Sequence, residues 1–184
     1  MFFYPTIKNI KESNNIHFIC LSNGNYEGQG NIREKELNNL LLKLNLNKLL
    51  ILNFEDNINK FWNIEKIEKI IKEYINQNNI DILITFDKKG ISYHPNHISC
   101  FLGIQNIKNV DIFSLETVPF YRKYISFFDI FNIKKKDTIF LNYNIIELFY
   151  FMSIHWSQLT WYRLLFILLS RYSFINILIK INTK

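Results

Sequence analysis

Two apolar periodicities alternate along this chain, and that alternation constrains its fold more than any other feature. Asn15–Ser22 (NIHFICLS) is a short apolar run ending in the turn cluster Ser-Asn-Gly, which predicts a strand. Arg33–Leu44 follows, with Leu37, Leu40, Leu41 and Leu44 at helical spacing and charges opposite. Lys48–Phe54 reads as strand again. Ile64–Ile75 then sets Ile64, Ile67, Ile70, Ile71 and Ile75 on one helical face. Ile80–Phe86 is a third apolar run, closed by Asp87 and the Lys88-Lys89-Gly90 turn. His97–Ile104 predicts a third helix, and Asp111–Val118 and Thr138–Tyr143 two further strands. Strands apolar on both faces, alternating with helices, predict the α/β class: a mostly parallel sheet covered by helices on each side. No repeat or linker interrupts the pattern, so the expectation is one domain over residues 1–184. In such sheets ligands bind beyond the carboxyl ends of the strands. Ser22–Arg33, Thr85–His97 and the segment after Tyr143 fall there.

A hydrophobic fraction of 48% over 184 residues supports a packed core rather than disorder. The formal charge of +6 suggests an anionic partner: nucleic acid, an anionic membrane surface or a phosphorylated substrate. No nucleic-acid recognition motif accompanies the charge, so the expectation is no nucleic acid. Cys20 and Cys100 each sit in an apolar run, as buried free thiols do. The most apolar stretch, Leu159–Ile181, is broken by Arg163, Arg171 and Lys180 and is a poor spanning helix. It suits the core or a membrane surface.

His94-Pro95-Asn96-His97 is the sharpest local feature, holding two of the 4 histidines. Two imidazoles this close can serve one metal, or divide the work between ligand and charge stabiliser. A pair of half-exposed loop histidines gives the same spacing. Ser22–Gly30 holds 3 of the 5 glycines and precedes Arg33, which can offer a phosphate two N–H groups. It matches neither the dinucleotide fingerprint nor a P-loop, and a flexible connection is the alternative. Asp87 is a candidate orienter of a histidine, or a turn former. Lys134-Lys135-Lys136 with Arg122 and Lys123 makes a basic region of the kind that is commonly a solvated face. From His155 to Tyr172 aromatics mix with cations, which suits a sugar or phosphate, or an amphipathic helix on the sheet.

Together these segments resemble the N-acetylglucosaminylphosphatidylinositol de-N-acetylases, in the LmbE-like zinc amidohydrolase superfamily. The matching motifs are L-S-N-G-N-x-x-G-x-G-x-x-R-x-x-E-L at Leu21–Leu37, T-F-D-x-x-G-I-S at Thr85–Ser92 and H-P-N-H at His94–His97. Arg122-Lys123-Tyr124, Ser157-Gln158 with Trp161 and Arg163, and Ser170-Arg171-Tyr172 with Asn176 follow in order. Tyr93 departs from the small residue usual there.

The resemblance implies a Rossmann-like three-layer domain and zinc-dependent hydrolysis of the substrate's acetamide, releasing acetate, in glycosylphosphatidylinositol-anchor biosynthesis. Zinc, or another divalent metal, is the implied cofactor, and the cytoplasmic face of the endoplasmic reticulum membrane the implied location. His97 matches the metal ligand, and His94 the imidazole that stabilises the oxyanion or protonates the leaving amine. Arg33 matches a substrate-binding position, and Asn23, Asn25, Ser157, Gln158 and Arg171 are expected beside it. In the family, Met-Phe-Phe-x-Pro-Thr-Ile directly follows A-H-P-D-D-E, which supplies the other metal ligands and the general base. That segment is Met1–Ile7 here, so the expectation is a chain lacking the first strand and half of the metal site. An inactive glycolipid-binding homologue is the alternative function.

Overall fold

The computed structural model describes residues 1–133 and 138–181 and is mixed α/β, as the alternation predicts. Its contacts gather into two compact units, Met1–Asp56 with Pro119–Asn176, and Asn57–Val118 with Ile177–Lys184.

In the first unit, α1 (Tyr4–Ile10) precedes β1 (His17–Cys20), α2 (Gly30–Lys43) and β2 (Lys48–Ile51). β1 and β2 run parallel, with His17 opposite Lys48 and Cys20 opposite Ile51. The leucine face of α2 turns inward: Leu41 and Leu44 pack with Tyr4, Leu148, Met152 and Ile167. After Pro119 come the short α6 (Phe120–Lys123), a 3-10 helix over Ser126–Asn132, β5 (Thr138–Leu141), α7 (Ile145–Ile154) and α8 (Trp161–Leu169). Burial of Cys20 pushes its thiol up to about 11, so it stays protonated at neutral pH. Neither Cys20 nor Cys100 is in a disulfide, as expected, and both are half-buried rather than fully buried.

In the second unit, α3 (Ile64–Asn78) starts where the Asn63 side chain accepts the Lys66 N–H at 2.8 Å. It ends at Asn79, whose left-handed φ of 51° stops the helix. Ile67 and Ile71 of its isoleucine face are buried. β3 (Ile82–Phe86) pairs in parallel with β4 (Asp111–Leu115), Ile82 opposite Asp111 and Phe86 opposite Leu115. β4 also pairs with the far end of β6 (Ile175–Ile181), antiparallel, with Leu115 opposite Leu178. Between β3 and β4 stand the single turn α4 (Gly90–Tyr93) and α5 (Pro95–Leu102), which carry the histidines.

The expected strands and helices all form within a few residues of their predicted bounds. Leu159–Ile181 divides instead of acting as one segment. It supplies the surface helix α8, whose one buried residue is Ile167, then the strand β6, buried over Ile175–Leu178. The break falls at Ser170, where the backbone turns extended and the side chain accepts the Tyr172 N–H. Lys134-Lys135-Lys136 lies outside the described residues.

Candidate functional site

The histidine loop is built from β3 outward. Asp87, just past the strand, accepts the Thr117 N–H at 2.9 Å and the Thr117 hydroxyl at 2.5 Å. It also accepts the Lys89 N–H at 3.0 Å. The Thr117 hydroxyl in turn accepts the Ile91 N–H at 2.9 Å. Asp87 therefore fixes loop backbone through Thr117. These bonds hold a tight turn with Gly90, Ile91 and Tyr93 at φ of 58°, 63° and 60°. Gly90 is required twice over, because its φ is left-handed and a Cβ there would lie 2.7 Å from the His97 Cβ. Tyr93 holds a left-handed φ that bulky residues rarely adopt, and its side chain is exposed.

The turn sets up both imidazoles. The His97 ring stacks on Phe86, centroids 4.0 Å apart, with its Nδ1 3.0 Å from the Gly90 carbonyl. A carbonyl only accepts, so the His97 Nδ1 carries the proton and its Nε2 the lone pair. His94 caps α5, its Nδ1 accepting the Asn96 N–H at 3.2 Å. A backbone N–H only donates, so neutral His94 carries its proton on Nε2. The rings lie 5.3 Å apart between centroids. Both are half-buried, and neighbours in one cluster have opposite tautomers.

His97 thus meets the requirement for one metal ligand: a backbone carbonyl fixes the tautomer and leaves the far nitrogen basic. Among the described residues no group of three or more His, Cys, Asp or Glu is placed to hold a metal. The residues present fit one ligand of a metal site and do not assemble a full set.

In the first unit the glycine-rich loop wraps Arg33. Its guanidinium donates to the Gly24 carbonyl and, at 2.6 Å, to the Glu27 carboxylate. The Asn23 amide donates to Glu34 at 2.8 Å, and the Asn25 oxygen accepts the Gly30 N–H at 2.8 Å. A Cβ on Gly30 would lie 2.7 Å from the Asn23 amide nitrogen, so glycine lets the loop close on the start of α2. Arg33, Asn23 and Asn25 are thus gathered in one loop, and their bonds shape it.

Ser157 and Gln158 lie on a 3-10 turn after α7. Glu36 of α2 accepts from the Ser157 N–H at 2.8 Å and its hydroxyl at 2.6 Å. Gln158 accepts from Arg163 at 2.5 Å. His155 Nδ1 lies 3.9 Å from Glu36. Burial, with the Met1 amino group adding to it, pushes the pKa of His155 down to about 4, so it is neutral at neutral pH. Arg171 is fully buried and pairs with Asp129 at 3.1 Å, and Arg122 makes two bonds to the same carboxylate, at 2.7 and 2.9 Å.

Glu36, Thr117 and Asp129 carry these arrangements without having been singled out in the sequence. For Glu36 a signal existed, since it is the acidic residue of the R-x-x-E-L motif. Thr117 and Asp129 had none.

The family model described as "PIG-L: GlcNAc-PI de-N-acetylase" matches residues 1–108. A probable N-acetylglucosaminyl-phosphatidylinositol de-N-acetylase of Dictyostelium discoideum is 35% identical, over 99% of this chain and 88% of its own length. One of Schizosaccharomyces pombe is 36% identical, over 97% and 80%. The Bos taurus enzyme of that name is 31% identical, over 96% and 76%. Among solved structures, N,N'-diacetylchitobiose deacetylase of Pyrococcus horikoshii superimposes with a TM-score of 0.64 at 17% identity, covering 88% of this chain and 68% of that one. That likeness supports the fold alone.

Proposed function

The chain belongs to the GlcNAc-PI de-N-acetylase family, and from that premise we propose that it hydrolyses the acetamide of N-acetylglucosaminylphosphatidylinositol, releasing acetate, with zinc or another divalent metal as cofactor. The step belongs to glycosylphosphatidylinositol-anchor biosynthesis, at the cytoplasmic face of the endoplasmic reticulum membrane. The observation that carries the reading is the pair of ring contacts, His97 Nδ1 at the Gly90 carbonyl and His94 Nδ1 at the Asn96 N–H. Nε2 of His97 holds a lone pair and supplies one metal ligand. A metal bound there contributes Lewis acidity toward the acetamide carbonyl and a more acidic water.

His94 has the opposite role. Its Nε2–H is a hydrogen-bond donor for the negative charge that grows on the carbonyl oxygen as water adds to the carbon. As the C–N bond breaks, the proton given up by the attacking water passes to the departing amine and acetate leaves, while His94 keeps its own proton. Asp87 and Thr117 hold the turn that keeps both rings in these states. Arg33, Asn23, Asn25, Ser157, Gln158 and Arg171 are proposed to form or support the surface that receives the sugar and phosphate. Arg171, being buried, acts there through Asp129 and Arg122.

Acetate release from the glycolipid by the purified, zinc-loaded protein tests the reading. His97→Ala is expected to abolish tight zinc binding and turnover together. His94→Ala is expected to keep zinc and lose about 100-fold in turnover. Stoichiometric zinc in the first variant, or full turnover in the second, removes that residue from its role. A protein that releases no acetate from the glycolipid overturns the proposal.

A further inference from the structure

The exposed side of α8 is apolar. Trp161, Leu165, Leu168 and Leu169 recur at helical spacing on the face turned to solvent, while Ile167 is buried on the other. Surface helices ordinarily show polar residues there. The neighbouring elements repeat the anomaly. On α7, Ile146, Phe149 and Tyr150 form a second exposed apolar face. On the 3-10 helix Ser126–Asn132, Phe127, Phe128 and Phe131 are exposed, Phe131 to 85%. The Ser126 hydroxyl donates to the Leu168 carbonyl at 3.3 Å, and Tyr124 meets Phe166 edge-on, so these rings border the α8 leucines. An apolar surface of this extent on one compact unit marks an interaction site.

We propose that this face, comprising the solvent sides of α7 and α8 and the phenylalanines beside them, seats in the headgroup layer of an anionic phospholipid membrane.

Two observations favour a bilayer over a protein. Along α8 the side chains grade from Trp161 and Tyr162, rings with a polar edge, to Leu165, Leu168 and Leu169, which are pure hydrocarbon. Trp156 stands next to the polar end, 76% exposed. Amphipathic rings prefer the interface and aliphatic chains the acyl region, so the gradient fits a helix dipping into the boundary. Charge agrees. Among the described residues of Pro119–Ser170 the acids are Asp129 and Glu147. Asp129 is fully buried against Arg122, and Glu147 is paired with Lys8. Of the cations on the same stretch, Arg122 is taken up by Asp129, and Lys123 and Arg163 are the others. Neither acid is left unpaired to repel lipid phosphate. Among the described residues no helix is long and apolar enough to cross a membrane.

The proposal rests on the glycolipid-deacetylase reading only for the reason this protein meets a membrane. The test is flotation of the 184-residue chain with vesicles of phosphatidylcholine and phosphatidylinositol that contain no N-acetylglucosaminyl lipid. The chain is expected to float, and brominated acyl chains to quench its tryptophan fluorescence, with the quenched part reduced in Trp161→Phe and removed when Trp156→Phe is added. Leu165→Ser/Leu168→Ser is expected to cut partitioning about tenfold. Its circular-dichroism melt should fall only slightly, since both side chains are about half exposed to water. No flotation of the parent chain overturns the proposal, as does equal flotation of the double variant. A concentration-dependent dimer that the double variant abolishes, without vesicle binding, also overturns it and assigns the face to a second copy. A chain that floats but releases no acetate from the glycolipid defeats the deacetylase reading and leaves this one standing.

Discussion

Asp129 and Asp87 solve the same problem in opposite ways. Asp129 is fully buried, and two guanidiniums, Arg122 and Arg171, face it, with the Asn132 amide at 3.2 Å. Asp87 is half-buried at the end of a strand and is held by a hydroxyl and two backbone N–H groups. A charge taken wholly out of water needs opposite charge beside it, whereas one still touching water is satisfied by neutral donors. The difference also sorts the functional candidates. Arg171, expected near substrate, serves as a counter-ion. Asp87, a candidate histidine orienter, anchors the backbone whose Gly90 carbonyl binds His97.

Asp129→Ala breaks the comparison most severely. It strands two cations around a buried cavity and is expected to cost about 3–5 kcal/mol, read as a large fall in Tm. A melt within a degree or two of the parent's would show that the arginines find other partners. Acid sharpens the contrast with a group buried without a full counter-charge. Unfolded His155 takes up its proton near pH 6.5 and the folded residue only near about 4. The unfolded chain therefore binds more protons in that window. Stability should drop as pH falls from about 6.5 to about 4, by at most about 3 kcal/mol, and His155→Gln should flatten the slope. An unchanged slope in the variant would assign the acid sensitivity elsewhere.

The Asp87 anchor is expected to be weaker. Asp87→Ala releases three donors at a partly wet site and should cost about 2 kcal/mol, with a drop in His97-dependent metal affinity. Thr117→Val keeps shape, removes the hydroxyl between Asp87 and Ile91, and should cost about 1 kcal/mol. Thr117→Ser should restore it. If Val and Ser variants behave alike, the hydroxyl is not what holds the turn.

Where side chains follow a period, the sequence made the fold legible. The isoleucines of α3 and the leucines of α2 announce their helices, and Gly90 and Pro95 punctuate the histidine turn. α7 (IIELFYFMSI) is apolar on nearly every face and gives no periodic signal. Between α8 and β6 the 3-10 turn Arg171–Ser173 contains no glycine or proline, and the break begins at Ser170. The histidine pair was legible because its residues are adjacent in sequence. Glu36 meets Ser157 across 121 residues, and Asp87 meets Thr117 across 30. Such partners are chosen by topology, which no local pattern encodes. The arginines stood out for their charge, and only packing reveals which carboxylate each one faces.

The pairing of β4 with the far end of β6 has a consequence for synthesis. Leu115 meets Leu178, and the whole of Pro119–Asn176 lies between them in the sequence. A ribosome making this chain N-terminus first releases β3 and β4 long before the strand that completes their sheet. Until then β4 offers an open hydrogen-bonding edge, flanked by the apolar Ile112 and Leu115. The second unit is thus a late folder whose nascent form is exposed to wrong pairing, and its yield in a cell depends on how quickly the remaining segment is translated.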